Sequence, residues 1–199
     1  MTSEKTIISL SGPIGSGKTT LAAHMEKRYA ACRISTSGVL SKSVGRGLDR
    51  SELQQLGLEV RFQGGEWIAD TVKRFILDHP AAKIIIVDAV RTAEQVRAIR
   101  DLAAERWRVL HIHLTADDQQ LARRYNARAR RSDSGVGWLE ATESLTEKAI
   151  ITLKSDADLV IDTSAVTSDD VAVRVSSRLR SERQQGAPCV DVLVGGQWG

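Results

Sequence analysis

The stretch Gly12-Pro-Ile-Gly-Ser-Gly-Lys-Thr19 decides how this chain is read. It has the spacing G-x-x-x-x-G-K-[ST], in which glycines let consecutive backbone N–H groups close around phosphate oxygens. Both flanks suit that chemistry. Residues 6–10 (Thr-Ile-Ile-Ser-Leu) are apolar and β-prone, and the residues from Thr20 to Arg28 read as a helix. A helix that starts where the loop ends adds the positive end of its dipole to the same anion site. Gly12, Gly15, Ser16, Gly17, Lys18, Thr19 and Thr20 are the residues expected to bind the phosphates of a nucleoside triphosphate. Within that set Lys18 reaches the β- and γ-phosphates, and the Thr19 hydroxyl is a ligand for Mg²⁺.

Working outward, β-prone segments at 6–10, 32–35, 83–88, 108–114 and 158–161 alternate with helical ones. The helical segments are 19–29, 50–60, 67–77, 93–106, 117–131, 139–153 and 168–184. Alternation of this kind predicts an α/β fold, a three-layer α/β/α sandwich around a five-stranded parallel sheet. Lys83-Ile-Ile-Ile-Val-Asp88 is nearly all apolar and β-branched, as a strand covered on both faces must be. Asp88 ends that strand, at the sheet edge where open α/β folds bind ligands. Its carboxylate is the second expected Mg²⁺ holder, acting through water.

With 199 residues, 42% of them hydrophobic and 27% charged, the chain can build one sizeable core and is not a disordered polymer. No apolar run approaches the length of a membrane span, and the first residues, Met1-Thr-Ser-Glu-Lys5, do not form a signal peptide. Cys32 and Cys189 are far apart and make no metal-binding spacing, which suggests a reducing, cytoplasmic setting. The net charge of +3 is too small to argue for nucleic acid by itself. A basic run does occur at Arg123-Arg-Tyr-Asn-Ala-Arg-Ala-Arg-Arg131, where Arg124, Arg128 and Arg131 share a helix face at i, i+4 and i+7. Tyr125 is its sole aromatic residue, so base stacking is poorly provided for and nucleic acid is not the expected partner. His111 and His113 alternate on one predicted strand, but no third ligand is evident, so they read as structural.

Three further stretches carry a family resemblance. Asp88-Ala-Val-Arg-Thr-Ala-Glu-Gln95 resembles the D-G-F-P-R-T-x-x-Q segment of adenylate kinase and other nucleoside monophosphate kinases, shortened by one residue. Arg33-Ile-Ser-Thr-Ser-Gly-Val-Leu40 resembles their I-S-T-G-D-M-L-R segment. The arginine run, followed by Ser132-Asp-Ser-Gly-Val-Gly137, stands where that family has its mobile lid. The resemblance implies a P-loop NTPase fold over residues 1–184, with a helical acceptor-binding insert at about 36–80 and a short lid at about 124–140. It implies ATP- and Mg²⁺-dependent phosphoryl transfer to a nucleoside or deoxynucleoside monophosphate, a small-molecule nucleotide partner.

In that reading Arg91 grips the acceptor phosphate, Gln95 and Thr36 contact the base, Arg61 is a further phosphate ligand, and Arg124 and Arg128 close over the transferring group. Arginine suits these places because its planar fork matches phosphate and stays charged. Ser41 stands where the family has an arginine, which leaves the acceptor's identity open. A kinase of another small substrate, such as a dephospho-coenzyme or a nucleoside, and a nucleotide-sensing regulatory module also remain open. Beyond Gly186-Ala-Pro188, the run Cys189-Val-Asp-Val-Leu-Val-Gly-Gly-Gln-Trp-Gly199 resembles the opening strand and G-Q-W-G loop of adenylosuccinate synthetase. That resemblance implies a linker and the start of a fused synthetase-like domain at 185–199.

Overall fold

The computed structural model describes residues 5–43, 65–103, 107–132, 137–142 and 145–181. Five strands form one sheet: β1 (Lys5–Ser11), β2 (Cys32–Ser35), β3 (Ile84–Asp88), β4 (Trp107–Thr115) and β5 (Leu159–Asp162). All pairings are parallel, in the order β2-β3-β1-β4-β5, as the alternation of elements predicts. The helices are α1 (Lys18–Tyr29), α2 (Thr36–Ser43), α3 (Glu66–Asp78), α4 (Ala93–Ala103), α5 (Asp118–Ser132), α6 (Trp138–Thr142), α7 (Leu145–Thr152) and α8 (Ser168–Ser181).

The sheet is buried on both faces because β1, β3 and β4 carry apolar residues at successive positions. Ile8, Leu10, Ile86, Leu110 and Ile112 pack toward α1 and α8, where Leu21, Met25, Ala172 and Val175 complete one core. Ile7, Ile34, Ile85 and Val87 pack toward α3 and α4, against Ile68, Val72, Val96 and Ile99, in the other. Two cores on one sheet make the three layers.

α2 is a helix that the residue pattern does not announce. Ser35, the last residue of β2, is also its N-cap: Ser35 Oγ accepts from the Gly38 N–H at 3.2 Å. Of the helix expected over 139–153, the parts described are α6 and α7. Within α6, Thr142 Oγ1 donates back to the carbonyls of Trp138 and Leu139 (3.1 and 2.9 Å). The helix expected over 93–106 is described to Ala103. Of the acceptor-binding insert expected at 36–80, the two ends are described, as α2 and α3. The helix expected at 50–60, Arg61 and the segment 185–199 lie outside the described residues. In the region expected as a lid, α5 carries Arg124 and Arg128 on a helix that runs on to Ser132.

Candidate active site

The phosphate loop joins β1 to α1 and needs three left-handed backbone positions, all glycine: Gly12 (φ 134°), Gly15 (φ 85°) and Gly17 (φ 95°). Gly17 is the N-cap of α1 and supplies no side chain, and the first turn holds no acidic residue. The helix's free N–H groups and positive end are thus left to a ligand. Thr19 and Thr20 are exposed there, whereas Ser16 is buried beneath the loop. Lys18 folds back over the loop, its Nζ donating to the carbonyls of Gly12 (2.7 Å) and Pro13 (2.9 Å) and to Ser16 Oγ (3.4 Å). These acceptors hold the ammonium at the mouth of the loop.

Asp88 arrives at the same place from β3. Thr19 Oγ1 donates to Asp88 Oδ2 at 3.1 Å, so the two residues expected to share a cation are in contact across 69 positions of sequence. A hydroxyl and a carboxylate are hard oxygen donors, the kind Mg²⁺ takes while keeping several of its waters. The site therefore fits the ion. Arg33 of β2, to which the sequence reading gave no role, also reaches Asp88 Oδ2, with Nη2 at 2.5 Å.

Arg91 and Gln95 follow at the start of α4. Gln95 Oε1 accepts from the Arg91 N–H at 2.7 Å, and the Gln95 N–H donates to Thr92 Oγ1 at 3.3 Å, close to a capping box. Thr36 is similarly engaged. Its hydroxyl accepts from the Ala89 N–H (3.1 Å) and lies 3.3 and 3.1 Å from the carbonyls of Asp88 and Ala89. Thr36 thus braces the end of β3, and Gln95 the turn from Arg91 into α4.

Arg124, on α5, sends Nη1 to Thr163 Oγ1 (2.9 Å) and Gly15 O (3.4 Å), and Nη2 to Thr163 O (2.6 Å). Its fork ties the phosphate loop to the end of β5. Thr163 Oγ1 lies between Arg124 and the carbonyls of Ser16 (3.2 Å) and Thr115 (3.0 Å). Arg128 is exposed one helical turn further on. Tyr125 is core, 1% exposed, and packs on Trp138 with ring centroids 5.6 Å apart.

Behind the loop lies a polar cluster. Ser11 Oγ sits 2.7 Å from His111 Nε2 and 2.9 Å from His113 Nδ1, and His111 Nδ1 is 3.2 Å from the Asp156 carbonyl. The carbonyl can only accept, so a neutral His111 carries its proton on Nδ1. Ser11 then donates to His111 Nε2 and accepts from His113 Nδ1. Burial holds the His113 pKa down at about 4, helped by the charges of His111, Lys18 and Lys154, and burial likewise lowers that of His111. The neutral histidine therefore stabilises the fold fully above pH 6.5, and this contribution is lost as pH falls toward 4. The shift sets a ceiling of about 3 kcal/mol. Urea unfolding at a series of pH values should show stability falling over that window, and His113→Asn should flatten the fall. An unchanged slope in the variant would remove His113 as its source.

Comparison with known proteins bears on the family and the fold. The model of an AAA domain family, AAA_33, matches residues 7–144. The chain belongs to that family. It is 28% identical to an adenylate kinase of Vanderwaltozyma polyspora, over 95% of this chain and 84% of that one. It is 26% identical to an adenylate kinase of Aspergillus terreus, over 94% and 73% respectively. Among solved structures, a shikimate kinase of Acinetobacter baumannii in complex with shikimate is similar in fold, with a TM-score of 0.62 at 14% identity, covering 92% of this chain and 97% of that one. An APS kinase of Mycobacterium tuberculosis has a TM-score of 0.55 at 15% identity, covering 89% and 98%. This member of the AAA_33 family is a P-loop phosphotransferase. Among its described residues no helix is long and apolar enough to cross a membrane.

Proposed function

We propose that the protein transfers the γ-phosphoryl group of ATP, with Mg²⁺, to a nucleoside or deoxynucleoside monophosphate. The observation that carries this reading is the position of Asp88. It touches Thr19 of the donor loop on one side, and three residues later the chain presents Arg91 at the start of α4. The donor loop thus reaches the carboxylate directly, with Arg91 close by in the chain, and relatives of adenylate kinase type extend along nearly the whole chain.

Lys18 and the loop N–H groups take the donor phosphates. Thr19 and, through water, Asp88 would hold the ion, which would supply positive charge to neutralise the donor phosphates. Arg91 grips the acceptor's phosphate, which needs no general base because it is already anionic. Arg124 steadies the loop through Gly15 and Thr163, and Arg128, a turn beyond, closes over the transferring group and excludes water. Arg61, outside the described residues, is assigned as a further acceptor-phosphate ligand by the resemblance alone.

One observation favours a second reading, a small phosphorylated acceptor without a nucleobase. The Thr36 hydroxyl and the Gln95 carbonyl, assigned to the base by resemblance, are already bonded within the protein. An acceptor panel decides between the two: ATP, Mg²⁺ and each ribo- and deoxyribonucleoside monophosphate in turn, with the diphosphate products separated by chromatography. Transfer to one or a few monophosphates establishes the first reading. No transfer to any, with ATP still bound by calorimetry, rejects it.

On the active acceptor, Arg91→Ala should raise the acceptor KM at least about tenfold, the scale of one lost charge-assisted contact. ATP affinity should be unchanged. Equal loss of both would remove Arg91 from the acceptor site.

A further inference from the structure

Arg33 is an unusual neighbour for a metal-holding carboxylate. It projects from β2 at the register position opposite Ile86, two residues before Asp88, and so reaches the carboxylate from the adjacent strand. The Asp88 side chain is 6% exposed and that of Arg33 22%, so their attraction is only partly screened by water. Its Nη2–Asp88 contact falls on Oδ2, the oxygen that also accepts from Thr19. Arg33 Nε is buried with no hydrogen-bond partner among the described residues. A guanidinium offers five donors, and an unused buried N–H favours release of the group toward a better set of acceptors.

We propose that Arg33 is an internal countercation of Asp88: it neutralises the carboxylate in the nucleotide-free site and yields it only when the metal arrives together with ATP. The inference rests on Asp88 being the metal-holding carboxylate, as under the proposed function. While Arg33 is paired, a free divalent cation meets a carboxylate whose charge is already balanced, with Lys18 adding a further positive charge beside the loop. Binding of metal alone is therefore weak. The triphosphate brings several negative charges, which both carry the metal in and give Arg33 other oxygens to pair with. Arg33 thereby sets the order of loading, nucleotide-bound metal rather than metal first, and keeps the empty site from filling with a free cation.

The probe is Mn²⁺, followed by electron paramagnetic resonance, with the full chain free of nucleotide and again with a non-hydrolysable ATP analogue. Arg33→Met should bind free Mn²⁺ at least about tenfold more tightly than the parent protein, the effect of removing one cation from a partly buried site. The gain should shrink with the analogue present and disappear in Arg33→Met/Asp88→Asn, while Arg33→Lys should resemble the parent. No gain in Arg33→Met, or a gain that persists without the Asp88 carboxylate, overturns the proposal. If Asp88→Asn leaves Mn²⁺ binding unchanged even with the analogue, the metal role of Asp88 falls as well, and the two failures are thereby told apart.

A second measurement needs no destabilising variant. In the parent protein the Arg33 Nε–H resonance, assigned by its loss in Arg33→Lys, should shift when the Mg²⁺ complex of the analogue is added. A resonance that stays in place while the loop signals move overturns the exchange.

Discussion

Lys18→Ala should lower turnover by a factor of about 10³ or more while leaving the protein folded. Phosphoryl transfer asks little covalent chemistry of the protein, so the rate depends on positioned positive charge, and losing one preorganised donor commonly costs 10²–10³. Lys18 is more than one donor. Its Nζ contacts two loop carbonyls and the Ser16 hydroxyl, which fix it at the mouth of the loop. Moving the ammonium onto phosphate oxygens exchanges neutral partners for charged ones, a gain that strengthens as charge shifts in the transition state. Stability should change by less than about 1 kcal/mol, since the group is partly exposed. Initial rates of diphosphate formation check the first claim and thermal unfolding the second. A rate within tenfold of the parent would sink the loop mechanism. The charge of Lys18 also helps hold the His113 pKa down, so the same variant should raise it, which proton resonances of the histidine ring report.

How far the sequence could be read follows from the range of the interactions involved. The strands are legible because an apolar, β-branched run such as Ile84–Asp88 states its own conformation. The phosphate loop is legible because its glycines, lysine and threonine act within eight adjacent residues. α2 falls within the helical insert that the resemblance implies, but the residue pattern does not mark it, because Thr36-Ser-Gly-Val-Leu-Ser-Lys-Ser43 is a poor helix former. It is started by the Ser35 cap, whose dual place at the end of β2 hid it.

Arg33 and the Ser11 cluster were illegible for another reason. Their partners lie 55, 100 and 102 positions away, and they meet because β2 lies beside β3 and β1 beside β4. Strand order is a property of the whole sheet, and no local pattern encodes which buried polar residues it will bring together. Gln95 and Thr36 illustrate the converse. A motif fixes where they sit, yet the bonds they make are to the adjoining backbone, and the resemblance alone did not anticipate those bonds.

The glycines of the loop provide the second large effect, because the structure ranks them. Gly12→Ala should be the most damaging single methyl that the loop can receive. Its φ of 134° is one that L residues rarely adopt, and a Cβ there would overlap the Leu114 carbonyl oxygen and lie 2.9 Å from Ser16 Oγ. Neither obstacle moves cheaply. Leu114 belongs to β4, whose pairing with β1 ends one residue before Gly12, at Ser11 opposite His113. Ser16 is buried under the loop, its carbonyl held by Thr163. Relief would come by lifting the loop off the sheet, and a lifted loop no longer aims its N–H groups at one point.

Backbone strain of about 1–3 kcal/mol, together with the overlap, should lower stability by several kcal/mol and remove measurable ATP binding. Gly17→Ala is the control. Gly17 also has positive φ, 95°, but a Cβ there meets nothing within 4 Å, so its cost is strain alone. Thermal unfolding and ATP calorimetry on the two variants should place Gly12→Ala well below Gly17→Ala in both stability and affinity. Equal stabilities would mean that the fit of the loop against β4 contributes nothing beyond backbone conformation. The close approach of Gly12 to the sheet would then cease to explain how the loop holds its shape before a phosphate arrives.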